Sequence, residues 1–336
     1  MSRDTKPLLT RRATLLATIG AALRRPSLAQ TTAPSSTWRP TRPITLVVPF
    51  AAGSATDAVA RLLAQMLSAE FAGAPVVVDN RAGANGTLGA LAVARATPDG
   101  HTLLVTTNTT HSANPALLRR LEYDPVADFT PITRIGDVPF MLTVGKDSPY
   151  QTARDLLDAA RRRPGGMSYA SGNSTGIVAG ATMARRAGTE MLHVPYRSTP
   201  PAMTDVIAGR VDCMFVDITA GLGNVRGGQL RALALSTQAP SPLLPGVQPL
   251  ADAAGLPGFD LISWTGTFAP ARTPAPLVSA LNAAIRQQIE QPEARARFAE
   301  VGYHVISTTS EALAEFVREQ IAVWRELVEA AGIEKE

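Results

Sequence analysis

Side chains that carry chemistry are scarce in this chain. It has one cysteine, Cys213, so no internal disulfide can form, and within the apolar run VDCMFV that thiol reads as a small buried hydrophobe. Its four histidines, His101, His111, His193 and His304, show no i, i+4 or CxxC-like pairing, which argues against a metal site. Aromatic residues make up only 5%, and no basic run alternates with them, so nucleic acid is a poor partner. No segment fits G-x-x-x-x-G-K-[ST], and the glycine-rich NRAGANGTLG lacks the G-x-G-x-x-G spacing, which leaves no support for a nucleotide or dinucleotide cofactor. The apolar run Ala13–Leu23 near the start is eleven residues, too few to span a bilayer.

That run belongs to a segment with the order of an export signal. Arg3, Lys6, Arg11, Arg12, Arg24 and Arg25 stand against Asp4 in residues 1–29, a charge of +5, so with a net charge of +4 the rest of the chain carries −1. The basic character is therefore local to the segment and does not mark a basic binding surface. Ser27-Leu28-Ala29 offers a small-x-small cleavage site after Ala29, which predicts an exported mature protein. Arg11-Arg12 followed by Leu15 and Leu16 resembles a twin-arginine signal; the general secretory route stays open beside it.

Past a polar, proline-containing linker (TTAPSSTWRPTRP), short apolar runs alternate with helical patterns over a chain of 336 residues, long enough for about two domains. ITLVV is followed by a helix over 55–70, PVVVD by one over 86–96, and TLLVTT by the shorter ANPALLRR. A second series runs FMLTVG, a helix over 152–163, MSYA, a helix after GNSTG, LHVPY, a helix over 201–208, VDCMFV and LRALALS. The proline-bearing DVPF and APSPLLPGVQPL read as hinge or boundary material. LISWTGTFAP, two helices, YHVIS and a helix opened by a Thr308-x-x-Glu311 capping box are too few for a third domain and are expected to return to the first. Alternation of this kind predicts an α/β fold with mostly parallel sheets.

Three turns lie between an apolar strand and a helix: PFAAGSATD (49–57), NRAGANGTLG (80–89) and ASGNSTG (170–176). Glycine lets backbone approach a ligand, and the free N–H groups of a helix start favour an anion. The same turns also suit plain N-capping by Ser, Thr or Asn. GNSTG in addition matches the G-x-S-x-G elbow of serine hydrolases, and Ser174, Asp217 and His304 keep the chain order of an α/β-hydrolase triad. Against that alternative, no HGGG-type oxyanion motif lies upstream, and His304 sits in the segment expected to return to the first domain while Ser174 belongs to the second.

The landmarks RPITLVVPFAAGSATDAVAR, VVVDNRAGANGTLGA, ATPDGHTLL, YDPVADFTPI, YASGNSTG, LHVPYRSTPPAMTDVIAGRVD, GGQLRALALST, SWTGTFAPARTPAPLV and VGYHV occur in an order that resembles the Bug-type periplasmic solute receptors of tripartite tricarboxylate transporters. The resemblance runs from Trp38 to about Glu334. It implies a type II periplasmic binding protein fold, with two doubly wound lobes and a ligand cleft between them: residues 38–138 and 262–336 in lobe 1, residues 139–261 in lobe 2. It further implies a non-enzymatic, monomeric protein that holds a small carboxylate through backbone N–H groups, hydroxyls and amides, for uptake through membrane subunits or for sensing. Carried over by position, Phe50, Ala51, Gly53 and Ser54 form one jaw, Asn173, Ser174 and Thr175 the other. Thr107 and Asn108 follow the third strand, with Arg197 and Asp217 on second-lobe loops at the cleft edge. Ser54 stands where a second glycine is common, which adds a hydroxyl, and Asn85 replaces a frequent glycine, which affects a turn. Hinges are expected near Asp137–Phe140 and Leu261–Ser263.

Overall fold

A computed structural model describes residues 38–71 and 74–336, so the expected export signal and its cleavage site lie outside the described residues. The first series folds as β1 (Ile44–Val48), α1 (Ala55–Glu70), β2 (Val76–Asn80), α2 (Thr87–Ala94), β3 (Thr102–Thr107) and a short α3 (Asn114–Leu117). A long β4 (Phe129–Gly145) leads to α4 (Ala153–Arg162), β5 (Ser168–Ser171), α5 (Ser174–Arg186), β6 (Leu192–Pro195), α6 (Thr199–Ile207), β7 (Cys213–Asp217), α7 (Ile218–Arg226), β8 (Leu230–Leu235) and α8 (Leu250–Ala253). The chain ends with β9 (Ile262–Pro270), α9 (Ala275–Ile289), α10 (Pro292–Glu300), β10 (His304–Val305) and α11 (Ser310–Ala331). None of these helices is long and apolar enough to cross a membrane.

The strands are ordered β2-β1-β3-β9-β4-β7-β5-β6, with β8 and β10 also paired to β4. Pairing is parallel within β2-β1-β3 and within β7-β5-β6, as right-handed crossovers through helices require. β9 and β4 run antiparallel through the middle, and β4 serves both halves: Phe129–Pro139 pairs with β9, and Phe140–Gly145 with β7 and β8. The result is the two-lobed α/β architecture of a periplasmic binding protein. Burial explains the strand composition. Four of the five ITLVV residues are buried because helices cover both faces of that sheet, and α1 turns Val59, Ala60, Leu63, Ala64 and Leu67 into it.

Three details differ from the sequence reading. β4 begins far upstream of FMLTVG and carries Pro131 and Pro139 in its paired stretch; the ladder with β9 shifts register next to Pro131, where the ring cannot donate. α7 fills the interval between VDCMFV and LRALALS, where strand had been expected to follow strand. The N-cap of α11 is Thr309, whose hydroxyl accepts from the N–H of Ala312 at 3.2 Å, because Thr308 is committed elsewhere: its Oγ1 accepts from the N–H of Arg134 at 3.1 Å. Asn85 does occupy a turn, in left-handed backbone (φ 49°) that asparagine tolerates. Its side-chain amide donates to Asn114 Oδ1 at 2.7 Å, and Asn114 Nδ2 returns a bond to the Asn85 carbonyl at 3.0 Å.

Candidate functional site

Four helices begin at one narrow cavity between the two sheets. Ser54, Ala55 and Thr56 bring the start of α1, Asn173 the start of α5, Thr199 the start of α6 and Asp217 the start of α7; Phe50, Thr107, Val138, Phe140, Ser263 and Thr265 complete the walls. Three of the four starts are locally specified. Ser54 Oγ accepts from the N–H of Asp57 at 3.3 Å, Asn173 Oδ1 from that of Gly176 at 2.9 Å and Asp217 Oδ1 from that of Ala220 at 2.7 Å, so three N-caps end their helices against the cavity. The α1 and α5 dipoles present their positive ends to this small space, whereas α6 opens on Thr199-Pro200-Pro201, whose prolines have no N–H, and the α7 start carries the Asp217 carboxylate.

A second layer fixes the first jaw. Gly53 has φ 83°, and its N–H donates to Asp57 Oδ2 at 2.9 Å. Arg61 Nε meets the same oxygen at 3.0 Å, while Asn80 Nδ2 donates to Asp57 Oδ1 and to the carbonyl of Phe50, both at 3.0 Å. These bonds hold the Asp57 carboxyl below its usual range against the opposing effect of burial, which is the largest influence on it. The jaw also reaches across: the N–H of Ala51 donates to Ser198 Oγ at 3.1 Å. In the second jaw, Gly172 has the Ser198 and Thr199 backbones so close that a Cβ would lie 2.2 Å from them, so only glycine lets the two turns lie together.

Behind the cavity wall lies a buried polar cluster. Asn108 Nδ2 donates to Ser174 Oγ at 3.1 Å and to Thr175 Oγ1 at 3.0 Å, and its Oδ1 accepts from Ser263 Oγ at 2.5 Å. Thr109 Oγ1 lies 2.9 Å from Ser174 Oγ. A π-type turn over Thr109–Ala113 follows Asn108; in it His111 stacks on Phe268 with ring centroids 3.9 Å apart, and complete burial lowers its pKa to about 3, so the ring is neutral.

Of the residues singled out from sequence, Phe50, Ser54, Thr107, Asn173 and Asp217 line the cavity. Ala51 and Gly53 form the loop beside it, and Asn108, Ser174 and Thr175 are buried one layer back. Arg197 is exposed and outside the lining; the chain turns after it, so Ser198 and Thr199 point inward instead. Replacing Arg197 by Ala is therefore expected to leave stability within about 0.5 kcal/mol and solute affinity within about twofold, checked by thermal unfolding and calorimetry. Thr56, Thr199, Ser263 and Thr265 were missed, since isolated hydroxyl residues form no motif. The hydrolase triad does not assemble: the Ser174 hydroxyl is spent on Asn108 and Thr109, Asp217 caps α7, and His304 is an exposed residue of β10 paired opposite Asp137. Among the described residues no group of three or more His, Cys, Asp or Glu is placed to hold a metal ion.

Residues 59–333 match the model of the tripartite tricarboxylate transporter family receptor. The chain belongs to this family. The receptor is 40% identical over 308 residues to a UPF0065 protein in the tcbD-tcbE intergenic region of Pseudomonas sp. strain P51, covering 90% of this chain and 91% of that one. Among solved structures it is similar to R. palustris Rpa4515 with adipate, at 33% identity and a TM-score of 0.85, covering 88% of this chain and 99% of that one. It is likewise similar to the periplasmic binding protein BugD, at 33% identity and a TM-score of 0.83, covering 88% and 100%. Bug-type receptors of this kind are solute-binding proteins, not enzymes, and the receptor is a periplasmic solute-binding protein.

Proposed function

We propose that the receptor captures a small carboxylate in the cavity between its lobes, residues 38–138 with 262–336 and residues 139–261, and delivers it to the membrane subunits of a tripartite tricarboxylate transporter or to a sensor. The observation that carries this reading is that the α1 and α5 starts face a cavity whose polar wall is mostly hydroxyl groups with the Asn173 amide, without any lysine, arginine or histidine. Fixed N–H dipoles stabilise a carboxylate without a counter-ion, and hydroxyls can turn to donate to it. The adipate named for Rpa4515 is a solute of this class. Export ahead of this role uses the segment 1–29, with cleavage near Ala29.

Closure accompanies capture. The jaws at Phe50–Ser54 and at Asn173 stand on different sheets, so a solute that touches both favours the closed arrangement. The hinges are Asp137–Phe140 and Leu261–Ser263, where β4 passes from one sheet to the other beside its partner β9. The test is thermal shift and calorimetry with succinate, adipate, L-aspartate and L-2-aminoadipate, each against the diamide that lacks its carboxylates. At least one acid is expected to bind, its diamide at least about a hundredfold more weakly, and only the acid is expected to reduce the radius of gyration in small-angle scattering. Binding by no acid, or equal binding by acid and diamide, defeats the reading.

A further inference from the structure

Asp217 is the single ionisable side chain in the cavity wall. It closes β7 opposite Phe140, is 3% exposed and makes no ion pair among the described residues. Its Oδ1 accepts from the N–H of Ala220. Capping does not explain a carboxylate here, because Asn or Ser caps a helix about as well and carries no charge into the interior. A buried, unpaired carboxylate is costly, and burial raises its pKa to about 6 despite the bond from Ala220.

The cavity is therefore electrically two-ended. At the α1 start the acid of the first turn, Asp57, is already held by Arg61, Asn80 and the Gly53 N–H, and at the α5 start the cap is the neutral Asn173. Those two starts remain positive toward the cavity, whereas Asp217 cancels the α7 start and leaves negative charge facing inward. A plain dicarboxylate suits one end and is repelled by the other. A zwitterion suits both.

We infer that Asp217 receives the ammonium group of the solute and so makes the receptor select amino carboxylates over plain dicarboxylates. This rests on the reading of the cavity as a carboxylate site. The ammonium supplies the partner that the buried carboxylate lacks, and the carboxylate of the same solute meets the α1 and α5 starts.

Calorimetry at pH 8 with two matched pairs tests it: succinate against L-aspartate, and adipate against L-2-aminoadipate. In each pair the molecules differ only by the ammonium group. In at least one pair the amino acid is expected to bind at least about tenfold tighter, the scale of one charge-assisted bond. Asp217→Asn, which keeps the α7 cap, is expected to abolish that difference. Plain acids that bind as tightly as their amino counterparts, or a preference that survives Asp217→Asn, overturn the inference while the carboxylate site stands. If none of the four binds, the site reading falls and this inference with it. The wild-type comparison decides the matter even if the variant fails to fold.

Discussion

Asn108→Ala is expected to lower the unfolding free energy by about 3 to 5 kcal/mol. The residue is fully buried and satisfies three hydroxyls at once: it donates to Ser174 and Thr175 and accepts from Ser263. Truncation leaves the buried Ser263 and Thr175 hydroxyls without that partner, at about 1 to 3 kcal/mol each, and adds a small cavity. Ser174 retains Thr109 and is affected less. Because Asn108 follows β3 of one sheet, whereas Ser174 and Thr175 begin a helix of the other, the loss also weakens the hold between the lobes. Urea unfolding with Thr175→Val as a reference measures it. The reference removes one hydroxyl and is expected to cost about 1 kcal/mol. A loss below about 1 kcal/mol in Asn108→Ala itself would show that the cluster is not under tension from burial.

Asp217→Asn is expected to act in the opposite direction, stabilising the receptor without solute by about 3 kcal/mol at pH 8. The sign follows from linkage. Burial raises the carboxyl to about 6 in the fold from an ordinary 3.8, so its contribution to stability is fully present below pH 3.8 and is lost as pH rises through 6. Asparagine does not undergo that loss, and 1.36 kcal/mol per pKa unit gives the magnitude. The advantage of the variant is expected to shrink as the pH falls through 6 and to vanish near pH 4. Thermal unfolding of both proteins at pH 8 and pH 4 checks this; a variant less stable than the parent at pH 8 contradicts it. A residue that weakens the fold at working pH and lines the cavity has the profile of a functional group retained against stability.

Much of this architecture was legible in the sequence because its signals are local. Short apolar runs gave the strands, and Ser54 and Asn173 suited the helix starts at the jaws. What was not legible depends on distant partners. The Pro139 of DVPF reads as hinge or boundary material, yet β9 supports a strand through it and through Pro131. ITAGLGNVR carries two glycines and drew no helix assignment, but Gly221 packs so tightly against Met141 and Val216 that a Cβ would come within 2.5 Å of the Met141 side chain; the helix there needs the small residue. Ser263 and Thr265 reach the cavity only because β9 lies beside β3 and β4, a placement no nearby residue records. Arg197 was carried over by position from the family resemblance, whereas the inward turn that follows it belongs to Ser198 and Thr199.

The placement of β9 also orders the assembly of the molecule in time. Every strand paired in the second sheet comes from one unbroken stretch, β4 to β8, so that sheet can close as soon as the stretch has emerged. The first sheet cannot, since Thr107 of β3 must find Thr265 of β9 across most of the intervening chain. Loop closure over such a separation is slow, and β3 keeps an unpaired edge until it happens. The strand that ends this wait brings Ser263 and Thr265 with it, so the cavity has no complete wall until β9 has joined β3 and β4, however early the second sheet closes.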